Sequence, residues 1–262
     1  MLHLDETAIH MMPTSKQLIA GFATTIIMHG AAIAETPARL DGDLGAATYV
    51  TQGILRGQQT QHLFLPFAYL DYGRFYARVD TFGAKLLPVA YGQIEVAGRV
   101  SFEGYQAGDT NIRGISDRSN PVPIGIGSFQ ETPVGALFLY AFHDVTSSGS
   151  LFEATYMAEL DAGRWTFYPE LGIERRSAQY VNHLYGVSLT EASSSGIAAY
   201  SPNAAVDQIV GLAGEIEVRG PWRVNWQWQY RRLGESIRNS PLVTTKFQNT
   251  GFIALTYHFG QQ

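Results

Sequence analysis

The sequence predicts an all-β protein: a transmembrane antiparallel β-barrel of about twelve strands, with short periplasmic turns and long extracellular loops. Three observations carry this. Charged residues make up only 16% of the 262-residue chain while aromatics reach 12%, which excludes a disordered chain. The mean hydropathy of -0.05 is too polar for a bundle of membrane helices. Several long segments alternate apolar and polar residues with period two, the signature of a strand with two different faces.

Composition narrows the function classes. A net charge of -5 and a pI near 5.8 speak against a basic nucleic-acid binder. With no cysteine, disulfide scaffolds, zinc–cysteine sites and thiol nucleophiles are excluded.

Taken in order, the chain opens with an export signal. Lys16 precedes an apolar core from Leu18 to Met28, and Ala32-Ile33-Ala34 forms a small-x-small cleavage site. This predicts a signal peptide over residues 1–34, cleaved after Ala34, and a single barrel domain over 35–262. Asp5 and Glu6 are unusual in a signal's leading segment and point to translation starting at Met11 or Met12. Strands are then predicted near 45–56, 62–71, 74–80, 84–91, 92–104, 122–130, 133–144, 149–160, 164–176, 205–219, 222–234 and 248–259, an even set, as closure requires. Ten strands is the alternative, if 74–91 is one strand and 122–130 a loop. The stretches 105–121, 178–204 and 236–247 read as long loops, the second of them flexible around Ser193-Ser194-Ser195-Gly196.

The faces of these strands predict an environment. In Trp222–Leu233, Trp222, Trp226, Trp228 and Tyr230 share one face while Arg223 and Arg231 share the other. Trp165 and Phe167, and in the last strand Tyr257 and Phe259, continue the aromatic face, as expected of lipid-facing girdles. The opposite faces carry Glu95, Arg99, Glu103, Glu153, Glu159, Glu170, Glu174, Glu215 and Glu217, which together with Arg223 and Arg231 are expected to line the lumen. Only three of the 18 basic residues are lysines (Lys16, Lys85 and Lys246), and arginine suits paired, partly buried sites. The lumen is therefore read either as filled by mutually paired side chains or as a charge-lined pore.

A set of short segments falls in a characteristic order. Leu65-Pro66-Phe67 leads to Tyr72-Gly73-Arg74-Phe75; Tyr180 precedes Tyr185-Gly186-Val187; Ala199-Tyr200-Ser201-Pro202 follows. Tyr230–Leu233 comes before Asn239-Ser240-Pro241-Leu242-Val243, and Gly251 before Tyr257-His258-Phe259. In this order the chain resembles the MipA/OmpV family of MltA-interacting outer-membrane proteins. It departs from that pattern most over 105–150, and in running on through Gly260-Gln261-Gln262 after the last aromatic. The resemblance implies an outer-membrane barrel acting as a scaffold between a murein-cleaving lytic transglycosylase and a murein-synthesising penicillin-binding protein. Other members are described as porin-like or adhesive, which keeps a diffusion channel or receptor as the alternative. Such a barrel is expected to be a monomer that contacts lipid and lipopolysaccharide and is inserted by the barrel-assembly machinery.

No catalytic, cofactor or metal constellation is read. His143 and Asp144 are adjacent and would face opposite sides of a strand. Ser101, His143 and Glu153 are triad candidates only in principle, and no Gly-x-Ser-x-Gly elbow occurs. Asp41-x-Asp43 lacks the remainder of a calcium loop and reads as a solvated N-terminal segment. His62 and His258 are expected near the membrane interfaces or the lumen. An absence of enzymatic activity is the expectation.

Overall fold

Consecutive strands pair antiparallel, except at one crossing where two successive strands both pair with the next, and the first strand also pairs with the last, closing a barrel. The computed structural model describes residues 39–260, so the expected signal peptide and its cleavage site lie outside the described residues. The strands are β1 (Leu40–Thr51), β2 (Gln61–Tyr72), β3 (Phe75–Arg78), β4 (Thr81–Val89), β5 (Gly92–Arg99), β6 (Pro123–Thr132), β7 (Gly135–Asp144), β8 (Ser150–Ala158), β9 (Leu160–Ala162), β10 (Trp165–Arg176), β11 (Ala205–Arg219), β12 (Trp222–Arg232) and β13 (Phe247–Phe259). Both β8 and β9 pair with β10, so they are two pieces of one crossing and the barrel has twelve. They part opposite the Tyr168–Pro169 step, where proline has no N–H to give a ladder.

One rim carries the start of β1, the end of β13 and the tight turns. Gly73, Gly163 and Gly220 sit in these turns at φ of 60°, 70° and 54°, a region open to glycine without steric cost. This is the periplasmic rim. The opposite, extracellular rim carries the long connections, which are ordered. Residues 178–204 hold two helices, α1 (Ala178–Tyr185) and α2 (Leu189–Ser195), and the last loop holds α3 (Glu235–Arg238). The expected flexible loop is thus corrected: Ser188 and Glu191 form a capping box that starts α2.

Four of these extracellular connections pack together into a cap. Leu55, Ile112, Leu184, Ile237 and Leu242 come from the loops after β1, β5, β10 and β12, and all are buried in one apolar cluster. The cluster runs down to Tyr140 and Phe142 on the upper lumen wall. The outer wall is the reverse of a soluble surface, with Phe64, Leu171 and Ile253 each at least 60% exposed, as lipid contact requires.

Three strand boundaries differ from the sequence reading. β1 begins at Leu40, so Asp41 and Asp43 are in a strand and not in a solvated segment. Asp43 is buried, and its carboxylate accepts from or faces His258 Nδ1 at 3.0 Å across the closing seam. β5 ends at Arg99, not near 104. The β3–β4 turn is Val79-Asp80 and not the Thr81-Phe82-Gly83 step, because Gly83 serves a close approach instead: a Cβ there would lie 1.9 Å from the Val96 carbonyl.

Candidate functional site: the barrel lumen

Alternation turns every second residue of each strand inward. The lumen that results encloses a cavity of about 920 Å³ beneath the cap. Its two sides differ in chemistry.

From β3 round to β12 the inward face carries charged residues, most of them paired. Arg78 grips Glu95 bidentately, with both N···O distances 2.9 Å, and also donates to the Tyr140 hydroxyl at 3.1 Å. Its guanidinium lies 4.2 Å from the Tyr76 ring centroid and 4.4 Å from that of Phe129. Arg99 pairs with Glu153 at 2.6 Å. Arg176 is the hub of the largest cluster, bonding Glu103, Glu174 and Asp207, while Arg231 reaches Glu174 at 2.7 Å. Such pairs persist in a low-dielectric interior only when both partners are present. Glu131 and Glu159, which are exposed, and Glu170, which is buried, have no ion pair among the described residues. Glu170 is 4% exposed and accepts from Gln227 Nε2 at 2.9 Å and Gln229 Nε2 at 2.7 Å.

On the β1–β2–β13 side the inward face carries an apolar band, with the Asp43–His258 pair below it. Ala47, Phe67 and Ala254 are buried together, with Tyr49, Val79 and Phe252 packed against them. Leu63 and Leu65 extend this stripe along β2.

Of the residues expected in the lumen, Arg99, Glu103, Glu153, Glu159, Glu170, Glu174, Glu215 and Arg231 line the cavity. Glu95 lies behind that surface, held by Arg78. Arg223 does not line the cavity but pairs with Glu215 at 2.9 Å, and Glu217 lies at the exposed periplasmic end of β11. The aromatics Trp165, Phe167, Trp222, Trp226, Trp228, Tyr230, Tyr257 and Phe259 stand on the other faces, where they contact each other along strands and, as Phe167–Trp226 and Trp222–Tyr257, across them. The triad candidates are not brought together: Ser101 and Glu153 line the cavity, whereas His143 is exposed on the far side of its strand. Sequence reading missed Arg78, Asp43 and Asp207. The partners of Arg78 and Asp207 belong to other strands, and that of Asp43 lies 215 residues away. The alternation of Phe75–Arg78 was the available signal for Arg78.

In the cap, Glu191 joins α2 to the β5–β6 loop. Burial pushes its carboxyl upward. Backbone N–H groups of Ser188 and Ser116, with the Arg118 guanidinium at 2.8 Å, outweigh that and hold it down at about 2.

A closed antiparallel barrel with this polar interior and apolar exterior matches the family model described as MltA-interacting protein MipA over residues 44–259. The chain belongs to the MipA family. Several curated proteins are similar to it. The MltA-interacting protein of Escherichia coli (strain K12) is 26% identical over 160 residues, which is 60% of this chain and 64% of that protein. The matched stretch thus spans just under two thirds of that relative. The outer membrane protein Omp26La of Vibrio anguillarum is 24% identical over 57% of this chain and 58% of its own length. Among solved structures, OmpT, an outer membrane protein of Vibrio cholerae, is similar at 9% identity and a TM-score of 0.34, covering 86% of this chain and 99% of its own, too remote to bear on function. This MipA-family chain is an outer-membrane β-barrel protein.

Proposed function

We propose that this protein is a non-enzymatic scaffold that holds murein-processing enzymes at the inner face of the outer membrane. The observation that carries the reading is the packed cap: four extracellular connections share one buried apolar cluster over the mouth of the lumen. A barrel that closes its outer mouth with a core of its own is built to persist, not to pass solutes. Most lumen charges are spent on one another, which fits a structural role for Glu95, Arg99, Glu103, Glu153, Glu174 and Arg231. The aromatic outer faces of β10, β12 and β13 hold the barrel in lipid. The periplasmic turns around Gly73, Gly163 and Gly220 are the accessible surface for a partner. A lytic transglycosylase is the first candidate, since a similar protein is named for its interaction with MltA.

The test is an in-cell crosslink from a photoreactive residue replacing Ala162, read by mass spectrometry, beside planar-bilayer conductance of the purified barrel. Capture of a lytic transglycosylase with no conductance steps is expected. Discrete conductance steps, with a correctly inserted barrel that captures no murein enzyme, would replace the scaffold with the second reading, a diffusion channel, which the cavity of about 920 Å³ favours.

A further inference from the structure

The barrel wall is incomplete on one side. β2 is twelve residues long, but β3 pairs with only its last four, Tyr69–Tyr72. The β3–β4 hairpin turns back at Val79-Asp80, whose N–H (Val79) reaches the Ala68 carbonyl at 2.8 Å. Beyond that point, among the described residues, no backbone hydrogen bond reaches Gln61–Phe67 from the β3 side. The stretch Val100–Phe102, past the end of β5, belongs to no strand; Val100 N–H donates to the Asp80 carbonyl at the hairpin tip at 2.9 Å.

Local chemistry is consistent with a permanent edge. Residues two apart in a strand present their N–H and C=O to the same side. Since Ala68 faces β3, Pro66 faces the open edge, where its missing N–H costs nothing. Val79, at the hairpin tip, has a φ of 58°, which a β-branched residue rarely adopts. The strained tip packs inward against the Phe67 cluster. Strain of this kind survives where surrounding structure imposes it, and it marks functional sites.

The gap lies in the extracellular half of the wall and borders the apolar side of the cavity, along Leu63, Leu65 and Phe67. The same cavity is lined by nine carboxylates and only four arginines. Among the carboxylates, Glu170 is buried with amide donors alone. An unpaired buried carboxylate is costly, and a ligand cation would offset that cost. We propose that this lumen binds a single-chain amphiphile with a cationic amine head, admitted sideways from the outer leaflet between β2 and the Val100–Phe102 stretch. The alkyl chain would lie along Leu63, Leu65 and Phe67, and the amine would reach Glu170.

The experiment exploits a chain without cysteine. Full-length protein carrying Leu65→Cys or, as a control on the opposite wall, Met157→Cys is labelled with bimane and placed in phosphatidylcholine nanodiscs. Phosphatidylcholine with a nitroxide in its acyl chain should quench the label at position 65 well above that at 157. Dodecylamine should then bind saturably and about tenfold more tightly than dodecanoate, a factor equal to about 1.4 kcal/mol. Glu170→Gln should abolish that preference. If Glu170→Gln does not insert, Leu63→Trp, which fills the stripe, should weaken both ligands together. Equal quenching at the two positions would overturn the lateral entry. Dodecanoate binding as tightly as dodecylamine, or no saturable response, would overturn the cationic site.

Discussion

The two walls of the lumen solve the same problem differently. The wall from β3 to β12 buries charge and balances most of it; the β1–β2–β13 wall buries a band of rings and methyl groups and leaves an edge unpaired. Arg176 holds three carboxylates, whereas Phe67 holds only apolar neighbours. A paired charge network tolerates no missing member, because each partner left behind is a buried ion. An apolar wall loses stability by volume and can yield to a ligand. The charged wall is therefore the rigid one, and the apolar wall the one with room to bind.

This contrast breaks most sharply at Arg176. Replacing Arg176 with Met should cost about 3–5 kcal/mol, seen as a lower urea midpoint for the barrel in lipid vesicles, because Glu174 and Asp207 lose a buried partner. A cost under 1 kcal/mol would mean that water reaches the cluster. On the apolar wall, Phe67→Ala should cost about 3 kcal/mol in the same assay, with no change in its dependence on pH. Val79→Gly should change stability by less than about 1 kcal/mol, because relief of the positive φ is offset by packing lost against the Phe67 cluster. Glu170→Gln should change stability by less than about 1 kcal/mol, in contrast to Arg176→Met, because removal of the buried charge is offset by the loss of one of the two acceptor oxygens that face Gln227 and Gln229. The smallest effect concerns the cap. The Glu191 carboxyl is held at about 2, below its unfolded value, so its contribution is full above about pH 4.3 and is lost as pH falls toward 2. Proteolysis of the α1–α2 loop should therefore quicken over that window, and Glu191→Gln should flatten the change.

Much of this was legible from alternation alone. β10, β11 and β12 stand within two residues of their expected bounds because Trp, Ile and Val alternate there with Glu, Arg and Gln. What escaped depended on contacts far apart in the chain. Asp41 and Asp43 look solvated until β13 brings His258 beside Asp43. Gly83 looks like a turn, yet it is a strand residue made small by the Val96 carbonyl and the Tyr76 hydroxyl. The serines of α2 look like loop, although Ser188 and Glu191 stand at the capping-box spacing. The lumen was half visible: the arrangement of Glu and Arg on one face was readable, but the identity of each partner, and the short β3–β4 hairpin that opens the wall, required the folded register.

The pairing of β1 with β13 has a consequence for how the molecule is made. Gly42 meets Phe259 and Thr51 meets Thr250, so the seam joins the two ends of the folded chain. Loop-closure entropy makes a contact over such a separation costly, and the hairpins between must already be in place to offset it. The circle is therefore completed last, after every strand has been synthesised. A ribosome-bound or truncated chain presents two bare edges instead of none, and those edges are what a cell must shield until the ends meet.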